Sequence, residues 1–143
     1  MGAMLTVDPE HLRGRLIHRA VETLSEGGVI IYPTDTIYGL GCDITNKSAI
    51  ERIQRIKQRD AKKPMSFVCA NLTDISNYAQ VSNFAYRILR RLLPGAYTFV
   101  LPATKETPKL LRSRQRSVGI RIPDHNVSTS LVSQLGHPLL STS

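Results

Sequence analysis

The residues with the greatest chemical reach fall in two places. The first is the stretch Val29-Ile30-Ile31-Tyr32-Pro33-Thr34-Asp35-Thr36-Ile37-Tyr38-Gly39-Leu40-Gly41-Cys42-Asp43. Its β-branched and aromatic start reads as a buried strand, which Pro33 must end or place at a sheet edge because it donates no ladder hydrogen bond. Thr34, Asp35 and Thr36 then present two hydroxyls and a carboxylate at a strand's carboxyl end, with Gly39 and Gly41 allowing close backbone approach. Open α/β sheets bind ligands at such strand ends, although a plain polar turn between two strands needs the same residues. The second place is Arg121, inside the apolar run Val118-Gly119-Ile120-Arg121-Ile122-Pro123. An unpaired cation is costly there, so Arg121 meets either a buried carboxylate or an anionic ligand. Its planar fork suits a carboxylate or phosphate, and the ligand is the favoured expectation.

Other chemistries lack their residues. There is no GxxxxGK[ST] loop, no GxGxxG, no HExxH and no Gly-x-Ser-x-Gly. An ATP-using enzyme of this sequence must therefore cradle phosphates with arginine, lysine and hydroxyls. Cys42 and Cys69 show neither CxxC nor Cys-His spacing and read as buried free thiols. His11 and His18, seven apart in what reads as one Arg-rich helix, are a solvated face, and no metal site made by protein side chains is expected.

The elements that must position these residues alternate in type. Asp8 and Pro9 predict the start of a helix through Glu26 that Gly27-Gly28 ends. Thr45 or Asn46 caps a second helix through Lys57, with Ile50, Ile53 and Ile56 on its buried side. Met65 to Ala70 reads as a strand, Asn71 to Asp74 as a turn into a short helix, and Phe84 to Leu93 as a helix ended by Pro94-Gly95. Tyr97 to Leu101 and Ser117 to Ile122 are strands, Asn126 to Leu135 is a helix closed by Gly136, and Leu139-Leu140 opens a last apolar run. Helices and strands interleaved without strict alternation predict an α/β domain with a mixed, twisted sheet.

The 143 residues suit one domain, of which Met1 to Ala3 read as a vector-derived leader before a native Met4. Hydrophobic residues at 41% and charged residues at 21% describe an ordinary globular chain, expected in the cytoplasm for want of an export signal. The net charge of +8 favours an anionic partner. Arg52, Arg55, Lys57, Arg59, Lys62 and Lys63 make one basic segment; Lys105, Lys109, Arg112, Arg114, Arg116 and Arg121 make the other. Aromatics at 6% do not indicate base stacking, so this charge supports sequence-independent phosphate binding.

Five ordered motifs resemble the YrdC-like domain family, also called the threonylcarbamoyl-AMP synthase family. They are Pro33 to Gly41, Lys57-Gln58-Arg59 with Lys63-Pro64-Met65, Pro94 to Thr98, Ser117 to Pro123 and Pro138 to Ser143. The resemblance, running from about residue 16 to the end, implies a twisted sheet with flanking helices around a concave basic cavity. It implies an enzyme that joins L-threonine, bicarbonate and ATP into threonylcarbamoyl-AMP for t⁶A in tRNA, with Mg²⁺ arriving on the nucleotide. It also implies binding of tRNA or double-stranded RNA, other t⁶A-pathway proteins as partners, and no membrane. By motif position, Thr36, Arg121 and Ser141 would hold L-threonine, and Arg59, Lys63, Ser117 and Ser143 would contact ATP. Arg59, Lys63 and Lys57 would stabilise the charge of the departing pyrophosphate. Arg52, Arg55, Lys62, Arg112, Arg114 and Arg116 would face RNA. Val68 stands where synthases of the family commonly carry a histidine; asparagine two residues beyond Ser143 would favour a synthase and its absence the YciO branch, and family domains normally continue with further elements. Asn71 to Asp74 and Lys105 to Pro108 look like the YciO branch, for which an RNA-binding role or a different substrate is the alternative.

Overall fold

A computed structural model describes residues 2–57, 65–108, 111 and 116–142. Helix α1, Gly14–Ser25, buries Ile17 and Leu24 and ends at Gly27, whose φ of +88° is a conformation glycine adopts without strain. It starts later than Asp8 suggested. Asp8 instead organises a separate turn, its Oδ1 accepting from Glu10 N at 3.0 Å and its carbonyl from His11 N at 3.1 Å. The extended backbone of Arg13 separates that turn from the helix. His11 therefore lies outside the helix that carries His18; they reach Asp8 and Glu22 respectively.

Strand β1, Ile30–Tyr32, stops at Pro33 and is an edge of the sheet, so the proline leaves no ladder bond unmade. Strand β2, Gly39–Asp43, returns antiparallel to it. Helix α2, Lys47–Ile56, is capped by Asn46 Oδ1, which accepts from Ala49 N at 2.9 Å. Ala49, Ile50 and Ile53 form its buried stripe, whereas Ile56, its last residue, is 58% exposed. Strand β3, Ser66–Val68, and helix α3, Leu72–Tyr78, follow, the helix capped by Asn71. Helix α4, Asn83–Leu92, is capped by Ser82, and strand β4 is Phe99–Pro102. Strand β5, Ser117–Arg121, helix α5, Asn126–Leu135, and strand β6, Leu139–Thr142, complete the chain; Gly136, at φ +87°, closes α5.

The six strands lie in the order β1-β2-β6-β3-β5-β4. Only β3 and β5 are parallel, so the sheet is mixed, as expected from the sequence. Register fixes what each face carries, because in-register partners point the same way and neighbours along a strand point oppositely. Cys42, Leu140, Phe67, Ile120 and Phe99 form one row across β2, β6, β3, β5 and β4. That row packs with Ile50, Ile53, Ile75 and Leu89 of α2, α3 and α4 into the larger core. Full burial of a side chain such as Phe67, Ile120 or Leu140 contributes about 1.5–3 kcal/mol.

The opposite face is divided. Its Leu139 and Val68, together with Tyr32, pack beneath Ile17 and Leu24 of α1 and Val127, Leu131, Val132 and Leu135 of α5. One row further along the strands the face carries Gly41, Ser141, Ser66 and Gly119, side chains too small to build a hydrophobic layer. This change from leucine and valine to glycine and serine within one face of one sheet marks the site.

Candidate ligand-binding site

The site begins with what the small row makes room for. Tyr32, at the end of β1, lies over the glycines of β2 with its ring almost fully buried. A Cβ at Gly41 would stand 2.8 Å from Tyr32 Cε1, and one at Gly39 would stand 3.1 Å from Tyr32 Cζ and 2.9 Å from Ser141 Oγ. Glycine at both positions lets the phenol reach across β2 to Ser141 on β6, donating from its OH to Oγ at 2.6 Å. Burial pushes the Tyr32 phenol up to about 12, against a smaller opposite pull from the Ser141 bond and the Arg121 charge. Tyr32 therefore stays protonated at neutral pH and acts as a donor.

The segment after Pro33 folds over this face as a hydrogen-bonded turn. Thr34 Oγ1 donates to Ile37 O at 2.5 Å and accepts from Thr36 N at 3.2 Å, and the Thr34 and Thr36 hydroxyls stand 3.2 Å apart. Ser128 of α5 donates to Pro33 O at 2.6 Å and ties the start of the turn down. These bonds hold Asp35 over β5. Its Oδ1 accepts from Arg121 Nη2 at 2.9 Å and its Oδ2 from the Asp124 amide at 3.0 Å.

Arg121 thus meets a carboxylate of its own chain, the partner the sequence reading ranked second. The pairing is incomplete. The Asp35 and Arg121 side chains are 12% and 17% exposed, and Arg121 Nε is buried with no hydrogen-bond partner among the described residues. A buried donor left unmade costs about 1–3 kcal/mol, which an acceptor oxygen at this atom would recover.

The other residues singled out by sequence divide between this face and elsewhere. Thr36 is exposed in the turn over the site, Ser141 is 8% exposed on the floor, and Ser117 is half-buried at the start of β5 on the same face. Lys57 is half-buried at the end of α2. Arg52 and Arg55 are exposed on α2, whose buried stripe packs against the other face of the sheet. Arg116, exposed, precedes β5 with a φ of 58°, unusual for a residue with a Cβ. Arg59, Lys62, Lys63, Arg112, Arg114 and Ser143 lie outside the described residues.

Sequence reasoning missed the roles of Asp35, Tyr32 and Ser128. Asp35 was recognisable as a carboxylate in the turn, but nothing in spacing joins it to a residue 86 positions later. A fainter signal was present for Tyr32, an aromatic facing two glycines of the next strand. His137 and Asp43, also missed, pair at 2.6 Å at the far end of β2, where Asp43 additionally accepts from Thr45 N and Oγ1 at 2.8 and 2.7 Å. A shallow groove of about 150 Å³ between α3 and α4, lined by Leu72, Thr73, Ser76, Val81, Tyr86 and Leu89, offers no cation and shares no residue with the site. Among the described residues no helix is long and apolar enough to cross a membrane.

The chain is similar to several known proteins in sequence and in fold. An uncharacterized protein of Haemophilus influenzae is 44% identical over all of this chain and 70% of its own length. The uncharacterized protein YciO of Escherichia coli K12 is 42% identical over the same shares. A threonylcarbamoyl-AMP synthase of Vibrio vulnificus is 35% identical over 89% of this chain and 70% of its own length. In three dimensions, the crystal structure of E. coli YciO superposes with a TM-score of 0.91 at 42% identity, covering 96% of this chain and 67% of that one. P. abyssi Sua5 complexed with L-threonine superposes with a TM-score of 0.87 at 27% identity, covering 93% of this chain and 39% of that one. The Sua5/YciO/YrdC family profile, described as "Telomere recombination", matches residues 22–143, and the chain belongs to that family.

Proposed function

We propose that this protein is an ATP-dependent synthase of the threonylcarbamoyl-AMP type, binding L-threonine on the glycine and serine floor under the Thr34–Thr36 turn. The observation that carries the reading is Arg121, held by Asp35 at one guanidinium nitrogen, with a buried Nε that has no partner among the described residues. A carboxylate oxygen satisfies that donor without displacing Asp35. Ser141 adds a neutral hydrogen-bonding group beside Arg121 for the carboxylate, and the exposed hydroxyl of Thr36 offers one for the rest of a small polar amino acid. The 35% identity to a threonylcarbamoyl-AMP synthase and the likeness to an L-threonine complex of Sua5 support the same substrate.

In the proposed reaction the threonine amine attacks the bicarbonate carbon, a C–O bond breaks and water leaves, which gives the N-carboxylated amino acid. A carbamate oxygen then attacks the α-phosphorus of ATP, the bond from that phosphorus to the β-phosphate oxygen breaks, and pyrophosphate leaves with the electron pair. The protein's task is to orient the two substrates and to stabilise negative charge on the leaving group with fixed donors and cations. Lys57, Arg59 and Lys63 are proposed for the charge, and Arg59, Lys63, Ser117 and Ser143 for the nucleotide. ATP is a substrate here, and Mg²⁺ enters held by its phosphates. The test is pyrophosphate release from ATP and bicarbonate with and without L-threonine. Threonine-dependent release is the expected result, and no release together with no calorimetric binding of L-threonine would refute the reading.

A second reading, an RNA-binding protein of the YciO type, rests on a different observation. Arg52 and Arg55 on α2 and Arg116 before β5 are exposed and carry no ion pair among the described residues. RNA bound by these cations loses affinity linearly with the logarithm of salt, and each arginine replaced by alanine lowers that slope by up to about one. Affinity that does not change with salt would remove this reading.

A further inference from the structure

We infer that Tyr32 is a positioning residue of the site, acting through Ser141: by donating to the serine oxygen it commits the serine's own hydrogen to an acceptor atom of the ligand. The inference rests on the L-threonine reading above and adds to it a residue and a direction of hydrogen bonding. The argument starts from the inventory of one hydroxyl. Ser141 Oγ has one hydrogen and two lone pairs, and the Tyr32 phenol occupies a lone pair at 2.6 Å in a buried setting. The serine hydrogen cannot then point at the phenol, and no described residue accepts it. Gly41 on one side of Ser141 and Ser66 on the other are its in-register neighbours, so no bulky side chain of those strands covers it.

A serine that accepts from a phenol is also polarised, which strengthens its own donation. A hydroxyl left alone rotates freely and serves a donor or an acceptor equally; this one is set. Ser141 O–H and Arg121 Nε–H are therefore two donors on one sheet face whose acceptors are missing among the described residues. Ser141 is in register with Ser66 and, through it, with Gly119, two residues before Arg121 on the same face of β5, which places the two donors on one face. The ligand they fit has acceptor oxygens there, as a carboxylate has.

The experiment measures L-threonine binding by calorimetry for the full chain, Tyr32→Phe, Ser141→Ala and the double variant. Tyr32→Phe keeps the ring over Gly39 and Gly41 and removes only the donor. The expected loss is about five- to tenfold in the unaltered background, the size of one hydrogen bond, and less than about twofold in the Ser141→Ala background. A structural role for the phenol would give equal losses in both backgrounds. If Tyr32→Phe does not fold, Ser141→Ala must lose at least about fivefold and Ser141→Thr, which keeps the hydroxyl, must restore binding. Threonine binding by the unaltered chain with undiminished binding by Tyr32→Phe, or by Ser141→Ala, overturns the inference and leaves the reading of the substrate standing. Absence of L-threonine binding by the unaltered chain overturns both.

Discussion

The pair Asp35–Arg121 fastens the turn to the sheet, and its removal has a calculable cost. Breaking a buried ion pair by deleting one partner costs about 3–5 kcal/mol, mostly from the charge left behind. Asp35 and Arg121 retain 12% and 17% exposure, so water recovers part of that, and the Asp124 amide freed by the change lies in an exposed residue. Asp35→Ala is accordingly expected to cost about 2–3 kcal/mol, which for a chain of this size lowers Tm by about 6–9 °C. Arg121→Ala is expected to cost less, because the carboxylate it abandons keeps the Asp124 amide as a donor. The double variant separates the pair from the rest of each side chain. If the ion pair is the cause, Asp35→Ala and Arg121→Ala together cost less than the sum of their separate effects, by about 1–3 kcal/mol. Urea unfolding of the four proteins at one ionic strength gives the cycle, provided the m-values agree. Additivity within about 0.5 kcal/mol would refute the view that this contact holds the turn in place.

Two further outcomes are expected. Burial pushes both the Tyr32 phenol and the Cys42 thiol up to about 12, from 10 and 9, with the Asp43 charge adding to the thiol's rise. Folding therefore holds these protons more tightly than the unfolded chain does; the contribution is whole below pH 9 and is lost as pH climbs toward 12. Stability followed by urea titration should fall progressively above pH 9, and Cys42→Ala should flatten the first part of that fall; a profile level to pH 11 would contradict it. The glycines of the floor should differ in kind when replaced by alanine. At Gly41 the new Cβ stands 2.8 Å from the Tyr32 ring and costs about 1–3 kcal/mol, whereas at Gly119 it meets Ser66 Oγ and Thr98 Cγ2 at 3.3 Å, contacts relieved by small side-chain shifts, and costs less than about 1 kcal/mol. Thermal unfolding ranks the two.

Much of the architecture was legible because local chemistry decided it. Asn46, Asn71 and Ser82 each accept a hydrogen bond from the third amide after them, and Gly136 supplies the positive φ that closes α5. Pro33 read as a stop or an edge, and it marks both. Asp8 misled because an Asx turn and a helix cap use the same carboxylate-to-amide bond, and the continuation that distinguishes them depends on packing. Ile56 misled because periodicity gives a residue's angle around the helix and not whether anything lies beside it at that height. For the site, the motifs singled out Thr36, Ser117, Arg121 and Ser141, and the strand register sets the last three on one face of the sheet. The bonds that set their chemistry join β1 to β6 and the turn to β5, and strand order is not written in any local pattern.

The Asp35 contact also changes what Arg121 can be. A guanidinium standing free in a cavity binds any anion that reaches it, and does so through whichever edge is exposed. Here one Nη belongs to Asp35, the strand holds the base of the side chain, and Val68, its in-register neighbour on β3, is 1% exposed in the layer beneath α5. Of the five N–H donors, one on Nη2 is given to Asp35, and the buried Nε–H has no acceptor among the described residues. A neighbouring carboxylate also makes the approach of a second anion less favourable, so a ligand must repay that with hydrogen bonds at fixed positions. The proposed site therefore discriminates by geometry more than by charge: a carboxylate is retained where its oxygens meet both Nε and the Ser141 hydrogen, and a phosphate or chloride held by charge alone is not. On this argument Asp35→Asn, which keeps the acceptor and removes the charge, tightens binding of simple anions while leaving the selection among amino acids unimproved. Calorimetry with inorganic phosphate and with L-threonine on the same variant decides it, and tighter binding of both to the same degree would show that Asp35 acts on Arg121 through charge alone.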